Sequence, residues 1–166
     1  MVPEKRRALL WVWVTYVAAF VVAAAVAVIL RERSPVERAF WADLAATFLV
    51  FAASRVAGNS SMYDPYWSVA PPIVIAFWMF AYANRLAISG SDFTELFWAL
   101  GVLIAVCVWS IRLTANWVRR WRGFDDEDWR YGMLKRQFGR AEIVIDLVGV
   151  HLFPTLIVFG AMLPVA

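Results

Sequence analysis

The sequence predicts an all-α membrane protein, a polytopic bundle of about five transmembrane helices with one amphipathic helix lying in the interface. Three observations predict it. Apolar residues make up 63% of the chain, whereas a soluble domain is nearer half. Ala8 to Leu30 is a charge-free run of 23 residues, and about 20 suffice to cross a bilayer. The 16 Lys and Arg residues gather mainly between apolar runs, as loop cations do in membrane proteins.

Composition also excludes several functions. The one cysteine, Cys107, sits in an apolar run, and His151 is the one histidine. No disulfide can close within the chain, and a zinc or haem site built by it alone is not expected. Nucleic-acid binding is not expected either, because the basic residues border a membrane and alternate with acids. No internal repeat or low-complexity linker divides the chain, so residues 1–166 read as a single integral membrane domain.

The expected spans are 8–30, 39–57, 67–86, 93–113 and 141–165, with a cytoplasmic amphipathic segment at 114–140. The first follows Glu4-Lys5-Arg6-Arg7 and is too long for a signal-peptide core of about 7–15 residues, so it reads as a retained helix. Ser34 and Pro35 turn the chain into the second. That helix carries Asp43 near one end and Arg55 near the other. Arg55 reads first as a side chain reaching back to the interface, with a buried role as the alternative.

Gly58 ends the second helix, and Asn59-Ser60-Ser61-Met62-Tyr63-Asp64-Pro65-Tyr66-Trp67 follows. Gly suits a helix C-terminus, while Asp and Pro suit a helix start. The segment therefore reads as a tight turn bearing a carboxylate, two phenols and an indole at a membrane boundary. The plain role is an aromatic anchor with a helix cap. Pro71 and Pro72 are expected in the first turns of helix three, where missing N–H groups cost least. A loop at 89–92 leads to helix four, capped by Asp92 or Thr94.

Trp109, Arg112, Asn116, Arg119 and Gly123 are spaced 3, 4, 3 and 4, which keeps them on one helical face. Two readings compete for Arg112. It borders the membrane beside an aromatic belt, or it faces inward with Asn116 toward a phosphate-bearing ligand. Asp125 to Asp128 opens the amphipathic helix, which has Lys135 and Arg136 near its end. For these charges the residues favour a solvated, headgroup-facing segment. Helix five carries Glu142, Asp146 and His151. Five residues turn an α-helix by about 140°, so Asp146 and His151 are not expected to form a dyad. His151 has a packing role as a hydrogen-bonding residue between helices, or a sharper role in proton transfer or ligand contact.

Orientation follows from the cations. With the N-terminus inside, the inner segments hold 11 Lys and Arg and the outer ones 4, with Arg55 apart. The 59–67 turn and the 112–140 segment then share the cytoplasmic face of what is expected to be a bacterial inner membrane.

Four ordered segments, Asn59 to Pro71, Trp109 to Trp117, Glu127 to Tyr131 and His151 to Thr155, together resemble the DUF1295 group of membrane proteins. That group is similar to the C-terminal domain of steroid 5-alpha-reductases. The resemblance covers roughly residues 59 to 166. It implies a helical membrane fold related to NADPH-dependent reductases of lipid-like enones, with the apolar substrate entering from the bilayer. Isoprenylcysteine methyltransferases, which use S-adenosylmethionine, are more distant relatives. Within that frame Tyr63, Asp64 and Tyr66 are the candidate acid and orienting groups at a carbonyl. Arg112, Asn116, Asp128, Arg130 and Tyr131 are the candidate cofactor contacts, and Asn59, Trp67 and His151 the substrate or interior polar positions. The family continues into a later half with an Arg-His-Pro-Asn-Tyr-type motif that this chain does not show. The chain is therefore expected to be the N-terminal part, or a shortened relative, of such an enzyme. The competing class is a non-catalytic membrane module that binds a lipid or a partner subunit. The sequence shows no Gly-rich phosphate loop, so any cofactor would sit between helices.

Overall fold

The computed structural model describes residues 3–89 and 94–166, with side chains at 4–84 and 96–166. Among the described residues every regular element is helical: α1 (Pro3–Ile29), α2 (Pro35–Ala57), a 3-10 turn (Ser60–Tyr63), α3 (Tyr66–Ser89), α4 (Thr94–Arg120) and α5 (Trp129–Phe138) come first. The last span is broken into α6 (Glu142–Ile145), a π-turn (Asp146–Leu152) and α7 (Phe153–Met162). Among the described residues, five helical stretches are long and apolar enough to cross a membrane.

Local chemistry sets the boundaries. Ser34 starts α2 with a capping box, its side chain accepting from the Glu37 N–H while Glu37 accepts from the Ser34 N–H. The helix begins four residues earlier than expected for this reason. At its other end Gly58 takes φ 68°, and its N–H reaches back to the Ser54 and Arg55 carbonyls. Pro71 and Pro72 lie inside α3. They fall just past the four residues whose N–H groups are free, so each removes a backbone bond that a helix starting at Tyr66 would otherwise make. Helix α4 runs on to Arg120, seven residues beyond its expected end, and α5 starts at Trp129 with Asp128 as its cap. The expected cap at Asp92 or Thr94, and the side chain of Arg85, lie outside the described side chains.

Helices α1 and α2 pack along their length. Three apolar clusters organise the bundle. Ala39, Ile75, Trp78, Phe159 and Met162 join α2, α3 and α7. Ala19, Ala46, Val50, Tyr63 and Tyr66 join α1, α2, the turn and the start of α3. Ala8, Val12, Met62 and Trp121 join the start of α1 to the turn and the end of α4. Helix α4 is the peripheral one, with 6% of its span buried against 39% for α2.

The start of α1, the 58–65 turn, the end of α4 and α5 occupy one end of the bundle. Lys5 Nζ donates to the Arg119 carbonyl at 3.3 Å, and Gly123, at φ 132°, lies 3.8 Å in Cβ terms from Ala8. Ser68 and Thr114 hydroxyls meet at 3.1 Å, and Tyr131 reaches Asp64 at 2.6 Å. Asp64 and the Arg112 region therefore share an end.

Candidate functional site

The turn after α2 is held from three sides. Asn59 caps it, with Oδ1 accepting from the Ser61 N–H at 2.9 Å and Nδ2 donating to the Phe124 carbonyl at 2.7 Å. Tyr16 donates to the Met62 carbonyl at 2.7 Å. From the acidic segment, Glu127 accepts from the Ser60 N–H at 2.7 Å and from Lys135 Nζ at 2.6 Å. The Asp128 N–H donates to Ser61 Oγ at 2.9 Å, and Tyr131 donates to Asp64. Glu127 and Asp128 are thus structural partners of the turn. Asp125 is exposed, whereas Glu127 and Asp128 are half-buried against the turn and are not freely solvated. Arg130 grips Asp128 with 2.7 and 2.9 Å hydrogen bonds, which hold that carboxyl below its usual range.

Beneath the turn lies a buried polar core. Tyr63 is 1% exposed, and its ring packs between Tyr66 at 5.4 Å and His151 at 4.6 Å. Thr155 donates to the His151 carbonyl at 2.9 Å. Its single proton is then committed, so Tyr63 at 2.6 Å and Thr47 at 2.9 Å must donate to it. The Tyr63 hydroxyl is therefore committed inside the protein and is not aimed at an open space.

The π-turn overturns the expected separation of Asp146 and His151. A π-turn closes its hydrogen bonds between residues i and i+5, which brings residue i+5 back near residue i and removes most of the 140° offset of an α-helix. His151 Nδ1 lies 3.0 Å from the Asp146 carbonyl and 3.6 Å from Asp146 Oδ1, with both side chains buried. Arg55 turns inward as well. It bonds Glu142 at 2.8 Å and Asp146 at 3.5 Å, because carboxylates on the last span give it partners that the interface reading did not foresee.

A cavity of about 510 Å³ opens between α1, α2 and α3. Nine of its twenty lining residues are alanine, which leaves the space. Its polar floor is one pair: Tyr66 donates to Asp43 Oδ1 at 2.8 Å, and both residues are buried. Arg38, over the Phe77 ring at 5.1 Å, lines the cavity farther along. The candidate acids thus separate. Tyr66 lines the cavity, whereas Tyr63 and Asp64 do not. Trp67 packs edge-on against Trp109 at 5.7 Å. Asp43 escaped sequence reasoning as a site residue. Its signal was a carboxylate alone in the otherwise uncharged run 39–54.

The candidate cofactor residues do not converge on a cleft. Arg112 and Asn116 are exposed on α4. Arg130 is spent on Asp128 and Tyr131 on Asp64. The crevice beside Tyr131, Lys135, Glu142 and Asp146 has no room for water. Among the described residues no cluster of His, Cys, Asp and Glu is set to hold a metal.

No curated protein and no solved structure matches the chain. The family model described as "Protein of unknown function (DUF1295)" matches residues 50–166, which takes in the turn, the acidic segment and the π-turn. The chain belongs to the DUF1295 family.

Proposed function

We propose that the protein binds a lipid-like molecule, taken laterally from the bilayer, in the α1–α3 cavity. The observation that carries this reading is the cavity itself. Its volume lies within the range of about 300–1,000 Å³ of small-molecule sites, and its wall is apolar except for Tyr66, Asp43, Arg38 and Tyr16, whose hydroxyl is bonded to the Met62 carbonyl. Such a wall suits a long hydrocarbon body with one hydroxyl or carbonyl, which would meet the Tyr66–Asp43 pair.

A second reading makes that molecule the substrate of an enone reductase. It is favoured by the Tyr66–Asp43 pair in an apolar cavity: Tyr66 donates to Asp43 in the structure, and to polarise a carbonyl as an acid it would redirect that one hydrogen bond to the substrate oxygen. NADPH would supply the hydride; Arg112, Asn116, Asp128, Arg130 and Tyr131, the residues expected to hold it, do not line this cavity.

Mass spectrometry of protein released from membranes tests the first reading. An apolar molecule is expected to remain bound to the wild type and to be lost from Ala24→Phe, which fills the cavity from an exposed position of α1. Equal retention by both would overturn it. Consumption of NADPH with an enone, abolished in Tyr66→Phe, would select the reductase.

A further inference from the structure

Outside the cavity, the most unusual chemistry is the charged cluster on the π-turn. Asp146 is 2% and His151 0% exposed. Asp146 Oδ1 is buried without a hydrogen-bond partner, 3.6 Å from the imidazole Nδ1. The titratable groups facing the pair are Arg55 from α2, Tyr63 from the 3-10 turn, Tyr131 and Lys135 from α5, and Glu142 from α6.

We infer that the Asp146–His151 pair is a proton-binding site in which His151 is an imidazolium, paired with the Asp146 carboxylate. Burial alone favours a neutral ring, and two observations oppose it. The first is charge. Arg55 touches both Glu142 and Asp146, so with a neutral ring the contacting group carries one net negative charge. An imidazolium gives two cations against two anions, and Lys135, paired with Glu127, adds nothing net. Arg55 and Glu142 are half-buried, but the excess charge falls on Asp146, which is buried, where an uncompensated charge is disfavoured.

The second is the count of hydrogens. A carbonyl only accepts, so Nδ1 must carry a proton to bond the Asp146 carbonyl. Ser54 Oγ lies 2.8 Å from the Phe51 carbonyl and 3.2 Å from His151 Nε2. Its one proton serves the shorter contact, to an oxygen that cannot donate. Nε2 is then satisfied only by donating its own proton to Ser54. Placing the extra proton on Asp146 would restore the charge balance but leave Nε2 and Phe51 competing for one hydroxyl.

The π-turn is the device that makes the pair possible, since it brings residues five apart back near one another. The bound proton sits one ring contact from Tyr63, between α2 and the last span. It is independent of what fills the cavity.

The chain has one histidine, so selectively labelled imidazole gives one signal by nitrogen NMR, provided the purification tag carries none. In lipid nanodiscs at pH about 7.5, a free imidazole is roughly nine-tenths neutral. Hydrogens on both ring nitrogens at that pH are the expected result, and a bare nitrogen would overturn the inference. In Asp146→Asn the ring is expected to give up one proton at the same pH. If it keeps both, the carboxylate is not the counter-charge and the pairing is wrong. Should that variant fail to fold, the wild-type spectrum alone decides.

Discussion

Tyr131 donates its hydroxyl proton to Asp64 over 2.6 Å, joining α5 to the turn that follows α2 across 67 residues of sequence. The bond converts a short interfacial helix with no buried residue of its own into a docked element. It also removes Asp64 and Tyr131 from the set of groups free to meet a ligand.

Tyr131→Phe keeps the ring and deletes the donor. A half-buried carboxylate that loses a partner costs about 1–3 kcal/mol. Lower thermal stability in detergent and faster amide exchange over 129–138 are the expected outcomes. Unchanged exchange would show that α5 is held by its other contacts.

Asp128 supplies the cap of α5, accepting from the Arg130 N–H at 2.9 Å. Asp128→Ala is expected to cost about 1 kcal/mol and Asp128→Asn much less, because a capping oxygen matters more than an exposed ion pair. The hydrogen bonds from Arg130 lower the carboxyl's proton affinity in the folded state. The associated stability is therefore present above the unfolded value of about 3.9 and fades as pH falls below it. An acid titration of α5 protection, flattened in Asp128→Asn, checks this.

Thr155 receives the hydroxyls of Tyr63 and Thr47 and donates to the His151 carbonyl. Thr155→Val conserves volume and strands both donors in a dry core, at a cost on the order of 2 kcal/mol. Adding Tyr63→Phe and Thr47→Val removes the stranded groups, so the triple variant is expected to be more stable than its parts predict. Additive thermal shifts would count against the network.

The cation asymmetry predicts a cytoplasmic N-terminus, and the shared end of the bundle carries Arg122 with it. In a Cys107→Ala background, Arg122→Cys should react with an impermeant thiol reagent only after cells are opened. Glu32→Cys, in the loop at the opposite end of α1, should react in intact cells. The reverse pattern would invert the orientation.

The turn was the most legible feature of the sequence. Gly58, Asn59 and Asp64-Pro65 are local signals that act through their own backbone, and the structure uses Gly58 and Asn59 as caps. The Arg112 and Asn116 spacing was also local, yet a repeat of 3 and 4 says only that residues share a face, not what the face meets. Both are exposed. Arg55 was read from its distance to the helix end, which cannot reveal Glu142 and Asp146 waiting 87 and 91 residues away.

By itself the sequence determined that the chain has five stretches long and apolar enough to cross a membrane, roughly where they are separated, and that two polar segments share one end of the bundle. Run length and caps are properties of neighbouring residues, and bilayer thickness sets how long an apolar run must be to cross. Tertiary structure alone decided that Tyr66 meets Asp43 in a cavity, that Tyr63 is spent on Thr155, and that Asp146 lies near His151. The first two join residues from different helices. The third depends on one added residue per turn, a change that packing selects and that side-chain periodicity does not record.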